Sequence, residues 1–280
     1  MKTTLVIFTF LASLTSFPQL ESPIPQTSTN MRNLEKSMVE VNETLYVSKY
    51  EVSNIDYREF LGYLDQNSQT YQQSVVDSMK WDEVLAYSDP LKEAYFSHPA
   101  FHLYPVVNIS HQGAKNYCEW LTTIYNQDEK RRYKEVIFRL PTEIEWEEIA
   151  RRGFEPDHQG DWPKLEDHKG RVQANFRYVM QQAVRENKAE GVITVEPFAT
   201  SKMSGKKAHF ITAPVESYEK DEMGLYNIFG NVAEMVAEPG ISKGGHWWST
   251  GYALKVDEKE SYNSPNPFVG FRVMMEIITE

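Results

Sequence analysis

The sequence predicts a single α+β domain, and three features of its 280 residues indicate this class. Helical signals are concentrated in the first half of the chain, short segments broken by Gly, Pro and Asn dominate the second half, and no internal repeat is found. Helices and strands that are segregated along a chain are typical of α+β architectures. Apolar residues make up 41% of the chain, which is enough for a sizeable core.

The first residues predict an export signal. In "MKTTLVIFTFLASLTSFPQ" one Lys precedes an apolar run from Leu5 to Phe17, and small residues and a Pro follow. Such a run is too short for a membrane span and suits a signal peptide. We predict a signal peptide over 1–20, a Pro/Ser/Thr-rich linker over 21–43 and the folded domain over 44–280. The mature chain is expected to have no transmembrane span and to reside in the periplasm, at the outer membrane or outside the cell.

Capping residues place three helices in the first half of the chain. Asn54 is predicted to cap a helix over "NIDYREFLGYLD", and Ser110 a helix over "HQGAKNYCEWLTTIYN". Thr142 and Glu145 form the T-x-x-E pattern of a capping box, and Gly153 marks the end of that helix.

Alternation and composition assign the segments between these helices. Residues 45–53, "LYVSKYEVS", alternate well enough for a strand, and residues 104–110 are predicted to be extended. The polar stretches 65–80 and 154–172 are predicted to be loops.

Charge and cysteine content exclude several functions. The net charge of −11 argues against a nucleic-acid-binding protein, because such proteins gain affinity by neutralising phosphates. Cys118 is the single cysteine, so the chain can form neither an intrachain disulfide nor a cysteine-rich metal site. It lies on the apolar stripe of the helix after Ser110, which predicts a buried, inert thiol.

A series of segments along residues 44–277 resembles one known family. In order, these are "YVSKYEVSNIDYREFL", "YPVVNISHQGAKNYCEWL", "RLPTEIEWEEIAR", "ANF", "APVESY", "GLYNIFGNVAEM", "KGGHWW" and "GFRV". The ordered series resembles the formylglycine-generating enzyme, or sulfatase-modifying factor, family. The resemblance implies an irregular fold related to C-type lectins, which agrees with the α+β class predicted above.

Residues 91–107, "LKEAYFSHPAFHLYPVV", carry a narrower resemblance. They are similar to the gliding-motility and type IX secretion lipoproteins of Bacteroidetes, in which this domain has a structural role. The resemblance implies a component of a cell-envelope assembly, with other envelope proteins as partners. This chain departs from those lipoproteins because it has no lipid-attachment cysteine after the apolar run.

The resemblance also implies a chemistry, from which this sequence departs. Formylglycine formation oxidises a substrate cysteine with O2, and two family cysteines after a Gly-Gly segment bind copper and the substrate thiol. Aligned on "KGG", these positions fall at Ser249 and about Leu254. Neither side chain supplies the soft thiolate that Cu(I) prefers. We therefore predict a pseudoenzyme that has no catalytic residues, binds no copper and acts as a structural or binding component.

Two alternatives to this prediction remain open. The first is an oxidative enzyme with altered chemistry on the same scaffold, built around His246. The second is a lectin-like or peptide-binding module. Trp247 and Trp248 point to opposite faces if the segment is extended, so one packs in the core and the other lines a groove, unless both are packed. The predicted binding groove comprises His246, Trp247, Trp248, Ser249 and Arg272.

The segment "NIFGNVAE" matches the family's calcium loop. The resemblance implies one calcium ion, held by the side chains of Asn227 and Glu234 and by the carbonyls of Gly230 and Val232. Calcium takes six to eight hard oxygen ligands, which an irregular loop can provide. In the alternative interpretation, Asn227 is a turn residue and Glu234 is a solvated or hydrogen-bonded acid.

Overall fold

A computed structural model of the chain describes residues 30–154, 163–165, 171–177, 184–187, 192–195 and 209–279. The predicted signal peptide and most of the predicted loop over 154–172 lie outside these ranges. Among the described residues, none of the helices combines the length and the apolar character needed to cross a membrane.

Helices and strands are both abundant, as the α+β prediction requires. Helices α1 to α6 comprise Met31–Lys36, Asn54–Tyr63, Gln69–Ser74, Asp89–Ala94, His111–Gln127 and Glu143–Gly153. Strands β1 to β10 comprise Met38–Asn42, Leu45–Ser48, Glu135–Arg139, Val184–Asn187, Val192–Val195, Ala233–Met235, Ile241–Lys243, Glu260–Ser261, Val269–Gly270 and Met274–Thr279. Short 3-10 helices lie at Ser78–Glu83, Pro99–Phe101 and Gly251–Leu254.

Two four-stranded sheets organise the domain. The first sheet is antiparallel throughout. Its strand order is β1-β2-β10-β3, so β10, from the end of the chain, lies between the early strands β2 and β3. The second has the order β8-β7-β6-β9, in which β6 and β9 are parallel. Strands β4 and β5 form a separate hairpin. Glu234 lies on β6, a central strand of the second sheet, so its position is fixed from both sides.

The folded domain begins earlier than predicted. Residues 21–43 were assigned to a linker, but α1 and β1 lie within this range. Met31 and Met38 are 2% and 7% exposed and belong to the largest hydrophobic cluster. The prediction missed these elements because each is at most six residues long, too short to show a clear periodicity.

Helix α5 is the central helix of the domain. Ser110 caps it as predicted, with its hydroxyl accepting a hydrogen bond from the Gly113 N–H. Tyr117, Cys118 and Leu121 lie on its buried face. Cys118 is buried as predicted, and burial raises the pKa of its thiol well above the usual value, which disfavours the reactive thiolate.

Of the other two predicted helix caps, one is confirmed and one is wrong. The Thr142–Glu145 capping box is present at the start of α6. At α2, however, the cap is Ser53, which forms a capping box with Asp56, and not the predicted Asn54. The amide of Asn54 is buried and donates instead to two backbone carbonyls of the 95–101 region, so a long-range interaction decided between two suitable residues.

Three predicted segments are corrected in detail. The stretch 65–80, predicted to be a loop, contains α3 and the start of a 3-10 helix, which Ser68 and Asp77 cap. Within 45–53 only Leu45–Ser48 is a strand. The extended run 104–110 forms no regular strand but contributes a single bridge between Pro105 and Ser53.

Side chains of α5 cover the outer edge of β3, which is an edge strand of the first sheet. The Asn126 amide donates to the Val136 carbonyl (2.9 Å) and accepts from the Val136 N–H (3.0 Å). The Thr122 hydroxyl accepts from the Phe138 N–H at 2.8 Å. Edge strands left unpaired are templates for association with other chains, and these contacts protect this edge.

Removing the Asn126 side chain is expected to lower stability. Asn126→Ala leaves both polar groups of Val136 without a protein partner, which should cost about 1–3 kcal/mol in urea unfolding. Thr123→Ala is the matched control, because Thr123 lies on the same helix but bonds only the Glu119 carbonyl at the exposed side. It should change stability by less than about 0.5 kcal/mol. Equal effects of the two variants would contradict a role for Asn126 at the strand edge.

Candidate functional site

The loop before β6 carries most of the predicted calcium ligands, and its backbone is unusually tight. Asn227, Gly230 and Asn231 all have positive φ angles, of 51°, 76° and 63°. Asn and Gly are the residues that tolerate this region best. A Cβ atom on Gly230 would lie 2.6 Å from the Asn175 carbonyl oxygen, so only glycine fits there.

Glu234 and Arg272 form a buried ion pair beneath this loop. They are 0% and 1% exposed, and the Arg272 Nη2–Glu234 Oε1 distance is 2.6 Å. Arg272 Nε donates to both carboxylate oxygens, and Trp146 Nε1 donates to Oε2 at 2.8 Å. The remaining guanidinium donors bond the backbone carbonyls of Ser48, Lys49 and Tyr226. The pair therefore joins β6, β2, α6 and the 226 turn.

Asn227 and Glu234, the two predicted side-chain ligands of calcium, differ in whether they suit an ion. Asn227 Oδ1 is buried and has no hydrogen-bond partner within the described residues, so it suits a cation. The Glu234 carboxylate already accepts four hydrogen bonds, three of them from Arg272. A carboxylate offers about four acceptor positions, and the guanidinium charge repels calcium. Glu234 does not fit as a ligand in this arrangement.

A second buried acid, Glu51, lies on the other side of the loop. It is 2% exposed, and its oxygens accept from Asn227 Nδ2 (3.1 Å) and Asn231 Nδ2 (2.8 Å). Burial raises the pKa of Glu51 to about 8, while Arg272 acts in the opposite direction and Glu234 adds to the rise. The carboxyl group is therefore largely protonated at neutral pH.

The structure places Ser249 and Leu254, which were predicted to align with the family's cysteines, beside the same glycine. A Cβ atom on Gly245 would lie 2.8 Å from the Leu254 side chain and 2.9 Å from Ser249 Oγ. The Ser249 hydroxyl accepts from the His246 N–H and donates to the His246 carbonyl, closing a tight turn. Leu254 is 1% exposed and packs in a hydrophobic cluster with Trp146.

The two tryptophans of the predicted groove occupy different environments. Trp247 is buried and donates from Nε1 to the Pro267 carbonyl at 2.9 Å. Trp248 is 41% exposed, and the Arg177 guanidinium lies 5.0 Å from its ring centre. One tryptophan thus anchors the segment while its neighbour faces solvent.

His246 is neutral and largely buried. It stacks on Phe268 at 4.3 Å, and its Nδ1 accepts from the Trp248 N–H, so the remaining proton is on Nε2, which lies 3.5 Å from Glu260 Oε2. Burial lowers the pKa of His246 to about 4. Across the part of the chain that the structure describes, no cluster of three or more His, Cys, Asp or Glu residues could hold a metal ion.

Arg272 requires a correction among the predicted groove residues. Its guanidinium is saturated by Glu234 and by backbone carbonyls in the interior, so it is not available to a ligand at the surface. Sequence analysis also missed Glu51 and Trp146, which complete the buried network around the loop. The polar Glu51 at the end of a predicted strand was the available signal.

By its two sheets and the tight loop before β6, the chain is an irregular α+β domain. A model of the sulfatase-modifying factor enzyme 1-like domain family matches residues 23–277, so the chain is a member of that family. The formylglycine-generating enzyme of Mus musculus is 26% identical over 246 residues, which are 80% of this chain and 54% of that enzyme. The enzyme of Bos taurus is 25% identical with the same coverage.

Further comparisons agree on the fold. The formylglycine-generating enzyme of Thermomonospora curvata is 28% identical over 146 residues, 52% of this chain and 34% of that enzyme. The chain thus spans about half the length of the mammalian relatives. A crystal structure of CarF has a TM-score of 0.50 at 18% identity, covering 83% of this chain and 86% of CarF. These likenesses confirm the predicted family and fold class.

Proposed function

We propose that this chain is a non-catalytic member of its family that acts as a structural or binding component of a cell-envelope assembly. The observation that carries the proposal is the pair of side chains beside Gly245. Ser249 offers a hydroxyl that is committed to its own turn, and Leu254 offers only a packed aliphatic chain. Cu(I) chemistry needs soft sulfur ligands, which neither provides.

The remaining thiol does not compensate for this loss. Cys118 lies on α5 in the largest hydrophobic cluster, whereas Leu254 packs in a different one. Its pKa is raised by burial, so it carries little of the thiolate form that metals bind. His246 also gives little support to the alternative of an enzyme with altered oxidative chemistry. Its Nδ1 is hydrogen-bonded, and no cluster of metal-binding side chains exists among the described residues.

An oxidation assay tests the loss of activity. The purified chain is supplied with copper, O2 and a cysteine-containing sulfatase-type peptide, and the peptide is analysed by mass spectrometry. We expect no formylglycine, while the Mus musculus enzyme serves as the positive control. Conversion by the wild-type chain above the protein-free background would contradict the proposal.

The envelope location extends the proposal beyond the family. It is supported by the apolar run over 5–17 and by the similarity of residues 91–107 to gliding-motility and type IX secretion lipoproteins. The partners would be other envelope proteins. Fractionation of the source cells, followed by immunodetection, is expected to place the mature chain in the envelope within a larger complex. A monomer confined to the cytoplasm would refute this assignment.

We include calcium binding in the proposal, but as a site of low affinity. Asn227 Oδ1 and the carbonyls of Gly230 and Val232 would hold the ion without Glu234, so few charges attract it. Low ligand charge gives weak sites, and we expect half-saturation near about 0.1–1 mM. Calcium should raise the melting temperature in this range for wild type but not for Asn227→Ala. Submicromolar binding that Glu234→Gln abolishes would restore the original ligand set.

Peptide binding at the exposed tryptophan is a second candidate function. Trp248 and the Arg177 guanidinium form an aromatic and cationic surface next to the Ser249 turn. Such side chains are frequent anchors of interfaces. Peptides selected by display against the chain should lose at least about tenfold in affinity on Trp248→Ala. Tyr252→Ala, which removes a neighbouring aromatic of 59% exposure, is the matched control and should have little effect.

A further inference from the structure

A cleft that does not include the Ser249 turn is lined by residues that have no part in the proposed function. It has a volume of about 360 Å³ and lies between α1, the start of α2 and the buried face of α5. Its walls include the apolar side chains of Leu34, Val52, Leu121 and Val273. Its polar lining includes Asn33, Tyr50, Glu51, Asp56, Glu59 and Tyr117. This size is within the range of sites for small ligands.

The Tyr117 side chain points to a ligand in this cleft. Tyr117 is 6% exposed, and its ring is held between Tyr57 (5.8 Å) and Phe271 (5.5 Å). Tyr117 lines the cleft, and its hydroxyl has no hydrogen bond within the described part of the chain. The hydroxyl is not one of the sealed polar atoms of the interior, so it is open to a donor or acceptor from outside the protein.

The charge of the lining selects the kind of ligand. Three lining residues are acids, of which Asp56 and Glu59 carry the negative charge because Glu51 is largely protonated, and none is Lys or Arg. Asp56 uses Oδ2 in the α2 capping box, while its Oδ1 has no hydrogen bond within the described residues. The acids do not converge as metal ligands, since no such cluster exists among the described residues. An organic cation satisfies the negative lining without requiring convergent ligands.

We propose that this cleft binds an aliphatic ammonium group, carried by a small diamine or by a lysine side chain. The ammonium donates to Asp56 Oδ1 at the exposed mouth of the cleft and to the Tyr117 hydroxyl inside it. The aliphatic stem contacts Leu121 and Val273. An ammonium group has three donors and no acceptor, which matches carboxylate oxygens and a hydroxyl.

Calorimetric titration of the mature chain with 1,5-diaminopentane tests the site. We expect saturable binding with a dissociation constant below about 1 mM, weakened by salt, and no binding of 1,5-pentanediol, which has the same length without charge. Nα-acetyl-lysine amide distinguishes the two sources: tighter binding of this probe favours a lysine side chain, and tighter binding of the diamine favours a free diamine. Equal binding of diol and diamine, or binding of neither amine, overturns the proposal.

Two variants locate the binding in the cleft. Asp56→Asn removes the charge and should weaken diamine binding by at least about tenfold, and Tyr117→Phe removes only the hydroxyl and should weaken it by about fivefold. Asp257→Asn neutralises an exposed acid outside the cleft and is the matched control, for which affinity should stay unchanged. Thermal unfolding confirms that each variant is folded. Diamine binding that is unaffected by both cleft variants contradicts the proposed site.

Discussion

Replacing Arg272 by Met is expected to lower the free energy of unfolding by about 3–5 kcal/mol. The substitution keeps an aliphatic side chain but removes the cation from Glu234, which is 0% exposed. Breaking one partner of a buried pair leaves an uncompensated charge, which costs far more than the pair itself contributes. Three backbone carbonyls also lose their guanidinium donors. Urea unfolding at neutral pH measures the loss.

Two further variants separate this effect from a general loss of charge. Arg152→Met removes a guanidinium from an exposed pair with Glu148 and should cost less than about 1 kcal/mol. The double variant Arg272→Met with Glu234→Leu removes both charges and should recover part of the stability lost in Arg272→Met. If the double variant is no more stable than Arg272→Met, the unpaired carboxylate is not the cause of the loss.

Glu51→Gln is expected to change how stability depends on pH. The pKa of Glu51 is about 8 in the folded chain and near 4.5 when exposed, so the folded form holds its proton more tightly. Below pH 4.5 the group has no effect, between pH 4.5 and 8 the wild type loses stability as pH rises, and above pH 8 the loss is constant. At about 1.4 kcal/mol per pH unit, this loss is at most about 5 kcal/mol.

The glutamine variant cannot ionise, so it should lack this loss. The Gln amide oxygen can still accept from Asn227 Nδ2 or Asn231 Nδ2, so one of the two hydrogen bonds to residue 51 is kept. Unfolding of both proteins at pH 5 and pH 9, with EDTA present throughout, measures the difference. We expect the variant to gain several kcal/mol relative to wild type between these pH values. Parallel pH dependences would show that Glu51 is ionised in the folded chain.

Local signals predicted the elements whose cause is local. The capping box of Thr142 and Glu145 lies within four residues of sequence, and the structure contains it as predicted. The apolar stripe of α5 likewise placed Cys118 correctly. Features fixed by distant contacts were missed. Helix α1 is held by packing of Met31 in the core, and the Asn54 amide bonds carbonyls 41 and 47 residues away instead of capping α2.

In the candidate site, too, features with a local cause were predicted and features fixed by distant contacts were missed. The motif order identified the family, and the structure places Ser249 and Leu254, the positions predicted to align with its cysteines, beside Gly245. The roles of Glu234 and Arg272 could not be predicted, because their pairing joins positions 38 residues apart and depends on Trp146 from α6. Glu51 was missed because its partners, Asn227 and Asn231, lie in a loop more than 170 residues later.

Cu(I) binding is the most direct test of the claim that this chain has lost the chemistry of its family. A titration against a competing Cu(I) chelator, under reducing and anaerobic conditions, compares the wild type with Cys118→Ser and with the double variant Ser249→Cys, Leu254→Cys. The account predicts that wild type and Cys118→Ser bind no stoichiometric copper. The double variant, with two thiols beside Gly245, is expected to gain one ion per chain. One tightly bound Cu(I) per wild-type chain would contradict the account.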